Sequence, residues 1–289
     1  MSTQKFCAVS QIQSDGSHSW AIATEACNLS NPDDALLVFA AQAIRDAYGE
    51  AELKALAEDA QTLMELPEPA EGVDVDFDLQ NLLAGFREAL PNPDNEGNKP
   101  PQLTNYRSET AEILAREALR FIFGIVAPPS LHATKGNRNQ PILGFDGWSV
   151  MKLDDGDIAL VLLQVKATDD KKRPPGEAAT LIEECRKATV DLEKLKSYLS
   201  ACIIRCKGTE FAWPLMVMLS KAQKTKEAGK LIVAPVIIRG QVEADHNDLH
   251  SLRNATHIFA PALARGVSLS IGAELGAFGA QAMKMARQP

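Results

Sequence analysis

Two apolar runs separated by a polar segment constrain the fold of this chain more than any other feature. Residues 142–151 and 158–168 flank residues 154–157, which are three aspartates and a glycine. Apolar runs on either side of such a turn predict a β-hairpin. The second run is apolar enough for a central strand that is covered on both faces. We therefore expect an α/β protein (in the broad sense that includes α+β) with a central mixed sheet flanked by helices.

Three polar residues interrupt these apolar runs. Asp146 lies in the first run, and Gln164 and Lys166 lie two residues apart near the end of the second. Because side chains alternate along a strand, Gln164 and Lys166 project from the same face. We expect the three to meet at one end of the sheet. The alternative is that Asp146 is a turn residue and that the other two form the polar rim of a strand leaving the core.

An acid on one strand that faces an acid-x-lysine motif on the next resembles the core of the PD-(D/E)xK nuclease superfamily. Here the motif is Asp146 with Gln164-Val165-Lys166, the glutamine variant seen in Mrr-like restriction enzymes. The resemblance implies a restriction-endonuclease-like core and metal-dependent hydrolysis of phosphodiesters with Mg²⁺ or Mn²⁺. It makes Asp146, the Gln164 amide oxygen and the Val165 carbonyl the metal ligands, and Lys166 the cation that orients water.

A helix is predicted between residues 104 and 123, where apolar residues recur at helical spacing and Gly124 follows as its end. The superfamily core commonly begins with a helix whose acid joins the site, and the resemblance selects Glu112 over Glu109 as a further catalytic and metal-binding residue. The alternative is that Glu112 pairs with Arg116 one turn later.

The order of an Arg-Ser-Glu helix, a Gly-x-Asp-Gly strand and a strand ending in x-Lys is similar to the nuclease subunit of Hachiman antiphage systems. That resemblance implies a role in bacterial antiviral defence beside a helicase partner. A glutamine stands at position 164, where that subunit is expected to carry an acid.

Two basic clusters are candidate contacts to DNA, although short charged runs are more often only solvated. The first cluster follows the second run of the hairpin. The second is predicted in a loop between two strands, residues 211–219 and 231–238. The candidates are Lys171, Lys172, Arg173, Lys221, Lys224 and Lys226.

The N-terminal region is predicted to contain a hairpin around Asp15-Gly16 and one or two helices that begin at an Asn31 cap, followed by a short helix over residues 79–90. Residues 91–101 are rich in proline, asparagine and glycine, which is typical of a linker. We therefore place a domain boundary there, between an N-terminal region at 1–100 and a nuclease-like domain at 101–289.

The C-terminal part is predicted to contain one long helix over residues 177–206, which returns to a parallel strand. Further strands are expected at residues 257–259 and 267–271, and a last helix at residues 276–287. Two histidines, His246 and His250, are four residues apart but lack the glutamate of a zinc-protease helix.

The net charge of −8 argues against a protein that coats nucleic acid by charge alone. Five scattered cysteines show no disulfide spacing, and residues 1–19 show no signal-peptide pattern. No apolar run is long enough to span a membrane. We therefore expect a cytoplasmic protein. It is either a Mg²⁺-dependent DNA endonuclease or a non-catalytic subunit of nuclease fold that binds nucleic acid or a protein partner.

Overall fold

The computed structural model describes residues 6–7, 9–15, 17–64, 79–95, 106–126, 147–225 and 230–288. The chain begins with two antiparallel strands, β1 (Val9–Asp15) and β2 (His18–Thr24), so the predicted N-terminal hairpin is confirmed.

Three helices follow this hairpin: α1 (Ala35–Tyr48), α2 (Glu50–Met64) and α3 (Leu79–Glu88). The predicted cap at Asn31 is wrong, because the Asn31 side chain instead accepts from the Asp33 amide within a turn. Asp34 caps α1, and its carboxylate accepts from the amides of Leu36 at 3.0 Å and Leu37 at 3.2 Å.

The predicted helix and hairpin in the middle of the chain are confirmed. They are α4 (Tyr106–Phe123), β3 (Gly147–Lys152) and β4 (Ile158–Thr168), with β3 and β4 antiparallel. Gly124 follows α4 with φ +67°, a left-handed conformation that favours glycine.

The segment after β4 contains three helices rather than one helix and a strand. The predicted long helix is divided into α5 (Glu177–Val190) and α6 (Leu192–Arg205), because Asp191 leaves helical geometry with ψ 86°. The predicted strand at residues 211–219 is wrong, because residues 212–219 form the first part of α7 (Ala212–Thr225). Buried residues there recur at helical spacing, at Leu215, Met218 and Ala222.

Two strands and two helices complete the fold. They are β5 (Leu231–Arg239), α8 (His250–Asn254), β6 (Leu263–Ser270) and α9 (Leu275–Ala286). The predicted strand at residues 257–259 is wrong, because Thr256–Phe259 is a 3₁₀ helix whose Phe259 is buried. The predicted last helix and the strand near residues 267–271 are confirmed.

The six strands form one mixed sheet in the order β1-β2-β6-β5-β4-β3. The four inner strands are parallel, and β1 and β3 pair antiparallel at the two edges. The predicted α/β class, with a central mixed sheet flanked by helices, is confirmed. β4 and β5 occupy the interior of the sheet, which explains why their sequences are almost continuously apolar.

Helices cover both faces of the sheet. Along β4, Val161, Leu163 and Val165 pack in one core with α1, α4 and α9, and we call this side the α4 face. Leu160 and Leu162 pack in a second core with α5, α6, α7 and α8, and we call this side the α5 face. Alternation along the strand therefore decides which helices each β4 side chain meets.

Elements from both sides of the predicted domain boundary share this sheet. β2 pairs with β6, and α1 packs against α4 and α9. Residues 96–105, where the boundary was placed, lie outside the described residues, so the boundary stays a prediction. Across the described ranges, no helix combines the length and apolar character needed to cross a membrane.

Candidate active site at the carboxyl end of β4

Gln164 and Lys166 lie near the carboxyl end of β4 and, by alternation with Leu160 and Leu162, project from the α5 face. Their predicted placement on one face is therefore confirmed. Gln164 is only 7% exposed, whereas Lys166 is partly open to solvent. A buried amide and a half-buried ammonium thus interrupt an otherwise apolar surface.

Lys166 is held by a carboxylate that was not predicted from the sequence. Its Nζ lies 2.7 Å from Oε1 of Glu184 on α5, and the two side chains are 25% and 32% exposed. The second oxygen of Glu184, Oε2, is buried and has no hydrogen-bond partner. Glu184 therefore joins α5 to β4 through one oxygen, while its other oxygen is closed to solvent and makes no hydrogen bond.

A second carboxylate of α5, that of Glu177, contacts β4 at Thr168, the last residue of the strand. Thr168 Oγ1 donates to Oε1 of Glu177 at 2.9 Å, and Glu177 Oε2 is buried without a partner. Glu177 and Glu184 flank the buried Leu181 at a spacing of four and three residues, so they lie on the same side of α5. This spacing of acids around a buried leucine was the available sequence signal for Glu184.

Asp146 lies outside the described residues, but its neighbour Gly147 is the first residue of β3 and pairs with Leu163. The Arg116 guanidinium packs tightly against Gly147, since a Cβ at position 147 would lie 2.8 Å from Arg116 Nη2. Arg116 is 6% exposed and has little room to move aside. A larger residue at position 147 would therefore displace the Arg116 guanidinium from the start of β3.

Glu112 is half-buried on α4, and α4 packs on the opposite face of the sheet from the one that carries Gln164 and Lys166. The structure therefore does not bring Glu112 to the face of these two residues, and its role stays a prediction. Glu109, which the resemblance did not select, is 4% exposed and accepts a hydrogen bond from the Tyr48 hydroxyl. That bond connects α4 to α1.

Val165 directs its side chain into the core of the α4 face, where it is 8% exposed. Its main chain is part of the sheet and is paired with Val236 of β5. A metal contact through its carbonyl stays a prediction.

The first basic cluster lies in the loop after β4, where its side chains are exposed. The Arg173 guanidinium is engaged within the chain, because it lies 3.1 Å from Asp245 Oδ2 and donates to the Glu243 carbonyl at 2.8 Å. Lys171 and Lys172 are thus the residues of this cluster that present charge to solvent.

The second basic cluster was predicted in a loop between two strands, and this placement is wrong because residues 221–225 form the last turns of α7. The apolar run before the cluster suits a strand as well as a helix, and a strand there would leave the cluster in a loop. Lys221 is exposed on α7. The side chain of Lys224 and all of Lys226 lie outside the described residues.

A buried ion pair supports the loop that follows β4. Arg239 of β5, which is paired with Thr168, is fully buried, and its Nε lies 3.6 Å from Asp248 Oδ2. Asp248 also accepts from Ser268 Oγ at 3.0 Å. Arg239 Nη2 donates to the Lys172 carbonyl at 3.1 Å, so the pair joins the loop to β5 and β6.

Within the described part of the chain, no three histidine, cysteine, aspartate or glutamate side chains are grouped so that they could hold a metal ion. The oxygen groups nearest Lys166 on the α5 face include the Gln164 amide and the Glu184 carboxylate, which are ligand types that Mg²⁺ and Mn²⁺ prefer. The donor chemistry of these residues fits a divalent cation, and Asp146 is the predicted third ligand.

Neither a scan of protein-family models nor searches of curated proteins and of solved structures find a match to this chain.

Proposed function

We propose that the chain is a metal-dependent DNA endonuclease of the PD-(D/E)xK type with its centre on the α5 face at the carboxyl end of β4. The observation that carries the proposal is the 2.7 Å contact between Lys166 and Glu184 beside the buried Gln164. The Gln164 amide lies on an apolar face of the sheet, where a buried polar group is unfavourable unless it is paired, and the Lys166–Glu184 pair lies at the end of the same face.

Asp146, the amide oxygen of Gln164 and Oε2 of Glu184 would hold the cation. A bound Mg²⁺ or Mn²⁺ supplies positive charge that stabilises the charge developing on the phosphate. Gln164 is neutral, so this residue contributes less to cation binding than an acid would. Glu184, on the neighbouring helix, would add a carboxylate to the cation site, although part of its charge is neutralised by Lys166.

Lys166 would orient the attacking water and stabilise negative charge near its ammonium. The contact to Glu184 keeps Nζ in one position, and positioning of a reacting group is a large part of catalysis. Glu184 is bonded through Oε1, and Oε2 is the oxygen that would contact the cation.

The role of Asp146 requires that the β3–β4 ladder continue by one residue. Gly147 pairs with Leu163, so one further step of an antiparallel register brings position 146 opposite Gln164. Asp146 would then project from the α5 face, as Trp148 and Val150 of the same strand do.

We also propose that the enzyme works with a partner such as a helicase in bacterial antiphage defence, in the cytoplasm. The resemblance to antiphage nuclease subunits supports this part of the proposal. A net charge of −8 repels DNA, so that a partner, the bound cation or local lysines such as Lys171 and Lys172 must supply attraction.

A second candidate function is a non-catalytic subunit that keeps a nuclease fold and binds nucleic acid or a protein. Two observations favour it: Gln164 stands in place of an acid, and the charge of Lys166 is already neutralised by Glu184. In this case Lys166 and Glu184 form a structural pair between β4 and α5.

Cleavage of supercoiled plasmid DNA separates the two functions. The protein is incubated with plasmid in the presence of Mg²⁺, Mn²⁺ or EDTA. Each reaction is run with the protein alone and with a helicase encoded by a neighbouring gene. Nicking that occurs only with Mg²⁺ or Mn²⁺ supports the endonuclease function. The Asp146→Ala variant should then not nick the plasmid. No nicking under any of these conditions supports the non-catalytic subunit.

Gln164→Glu is expected to tighten Mn²⁺ binding on the order of 10-fold, about 1.4 kcal/mol, because it adds a negative charge beside the cation. Titration calorimetry with Mn²⁺ measures this change. Gln241→Glu, on the exposed surface after β5, is the matched control and should leave the affinity unchanged. Weaker or unaltered binding in Gln164→Glu would exclude position 164 as a ligand.

A further inference from the structure

Residues 192–225, which we call the α6–α7 segment, differ in charge from the rest of the chain. They include two acids and six basic residues, which are Lys194, Lys196, Arg205, Lys207, Lys221 and Lys224. The segment therefore contributes +4 to a net charge of −8, which leaves −12 on the rest of the chain. Both acids are paired, since Glu193 lies 2.8 Å from Lys196 and Glu210 lies 3.9 Å from Lys152. A surface of this kind attracts polyanions even though the whole protein repels them.

Trp213, in the first turn of α7, is 70% exposed. The chain has three tryptophans, and the other two, Trp20 and Trp148, are 2% and 6% exposed. Leu215 and Met218, on the other side of α7, are buried and anchor the helix in the core of the α5 face. The packing of α7 therefore does not use the indole of Trp213, and most of its ring is open to solvent.

The exposed side of α7 changes from apolar to basic along the helix. Met216 and Val217 follow Trp213 at a spacing of three and four residues, and they are 42% and 36% exposed. Ser220 and Lys221 come one turn later and are also exposed. Lys221 is eight residues beyond Trp213, about 12 Å along the helix. One side of α7 thus presents a ring, a short apolar patch and a cation in sequence.

The size of the apolar patch argues against a protein or a membrane as the ligand. Trp213, Met216 and Val217 span little more than one helical turn, whereas a stable protein interface buries about 800 Å² per partner. A second copy of the chain is further disfavoured because two surfaces of like charge repel each other. A helix that lies in a membrane surface uses a wide apolar face, but the core already uses the other side of α7.

A ring flanked by cations matches single-stranded nucleic acid. Such strands are bound by aromatic side chains on which bases stack and by cations that contact the phosphates. Trp213 supplies the ring, and Lys207 and Lys221, both exposed, supply cations before and after it in the chain. A duplex offers its phosphates to the lysines, but the faces of its bases are covered by their neighbours, so the indole would stay unused.

We propose that the α6–α7 segment binds single-stranded DNA, with a base stacked on Trp213 and the phosphates contacted by Lys207 and Lys221. The choice of DNA rests on the proposed nuclease function, to which this surface adds a preference for unpaired strands.

The surface is remote from the candidate active site. Lys152, which contacts Glu210 just before α7, pairs with Ile158 at the start of β4. Ile158 and Lys166 are eight residues apart, about 26 Å along the strand. The α6–α7 segment therefore anchors a strand outside the proposed centre, and substitutions of Trp213 leave that centre intact.

Binding is measured with a fluorescein-labelled oligothymidylate of about 20 nucleotides, a length that covers an ordinary single-strand site. EDTA is present, so that no cleavage occurs. We expect the oligonucleotide to quench tryptophan fluorescence saturably, because Trp213 is exposed while Trp20 and Trp148 are buried. A duplex of the same length should quench far less, and Trp213→Phe should remove the quenching.

Fluorescence anisotropy of the same oligonucleotide gives the affinity of each variant. Trp213→Ala is expected to weaken binding on the order of 10-fold, and Trp213→Phe should retain most of the affinity because it keeps a ring. Leu56→Ala, which alters a side chain 66% exposed on α2, is the control and should bind like the wild type. Lys221→Gln should reduce the slope of log affinity against log salt by about 0.7. Thermal melts verify that each variant is folded.

The proposal is overturned if the oligonucleotide does not quench the wild type, if the duplex quenches it equally, or if a folded Trp213→Ala binds as tightly as Leu56→Ala. Quenching by phosphatidylserine vesicles but not by DNA would assign the surface to a membrane instead. A wild-type dimer that Trp213→Ala dissociates in sedimentation would assign it to a second copy. A protein that binds the oligonucleotide in EDTA but never nicks plasmid loses only the nuclease function.

Discussion

Replacing Lys166 with alanine is expected to slow plasmid nicking by about 10²–10⁴-fold, the usual contribution of a positioned proton-transfer or charge-stabilising group. Lys166 Nζ lies 2.7 Å from Glu184 Oε1, so the ammonium is held in one place on the α5 face. The substitution removes the charge that we propose orients water, and it also removes the ammonium that pairs with Glu184. Nicking rates in Mg²⁺ measure the effect.

Lys187→Ala is the matched control for Lys166. Lys187 lies on α5 as well, but its side chain is 67% exposed and pairs with Glu183 at 3.5 Å. An exposed pair of this kind contributes little, and we expect nicking at the wild-type rate. If Lys166→Ala nicks plasmid as fast as Lys187→Ala does, Lys166 has no part in catalysis.

Asp248→Ala is expected to lower the free energy of unfolding by about 3–5 kcal/mol, because removal of one partner leaves a buried charge uncompensated. Arg239 and Asp248 are both fully buried, with Arg239 Nε 3.6 Å from Asp248 Oδ2. The loss of Asp248 also removes the acceptor of Ser268. Urea denaturation measures the change.

An exposed ion pair provides the comparison for Asp248. Asp94 and Lys284 lie 2.6 Å apart with side chains 65% and 42% exposed. Asp94→Ala should therefore change stability by less than about 1 kcal/mol. Equal losses in Asp94→Ala and Asp248→Ala would show that the buried pair does not stabilise the loop after β4.

The strands nearest the candidate site were predictable because local patterns determine them. The polar turn at residues 154–157 separates β3 from β4, and alternation along β4 places Gln164 and Lys166 on one face. The α/β class follows from the same feature, since a strand as apolar as β4 requires cover on both faces. These are properties of short segments of sequence.

The contacts that complete the site were harder to predict from the sequence, because they join residues that are far apart along the chain. Glu184 meets Lys166 across 18 residues, and Asp248 meets Ser268 across 20. Helical spacing on α5 indicated which acids share a side, but it did not indicate which strand that side meets.

The predicted strand before Lys221 and the predicted helix cap at Asn31 are wrong because each sequence pattern fits two local structures. The apolar run before Lys221 suits a strand as well as a helix, and only the burial of Leu215 and Met218 with exposure of Trp213 shows the helix. Asn31 and Asp34 are both good caps, and the structure places the helix start at Asp34.

The location of Mn²⁺ in crystals, measured by anomalous scattering, tests the central claim most directly. We predict a single strong peak on the α5 face within about 2.5 Å of the side-chain oxygens of Asp146 and Gln164, with Glu184 as the third ligand. A peak elsewhere, or none at saturating Mn²⁺, would contradict a metal-dependent centre at the end of β4.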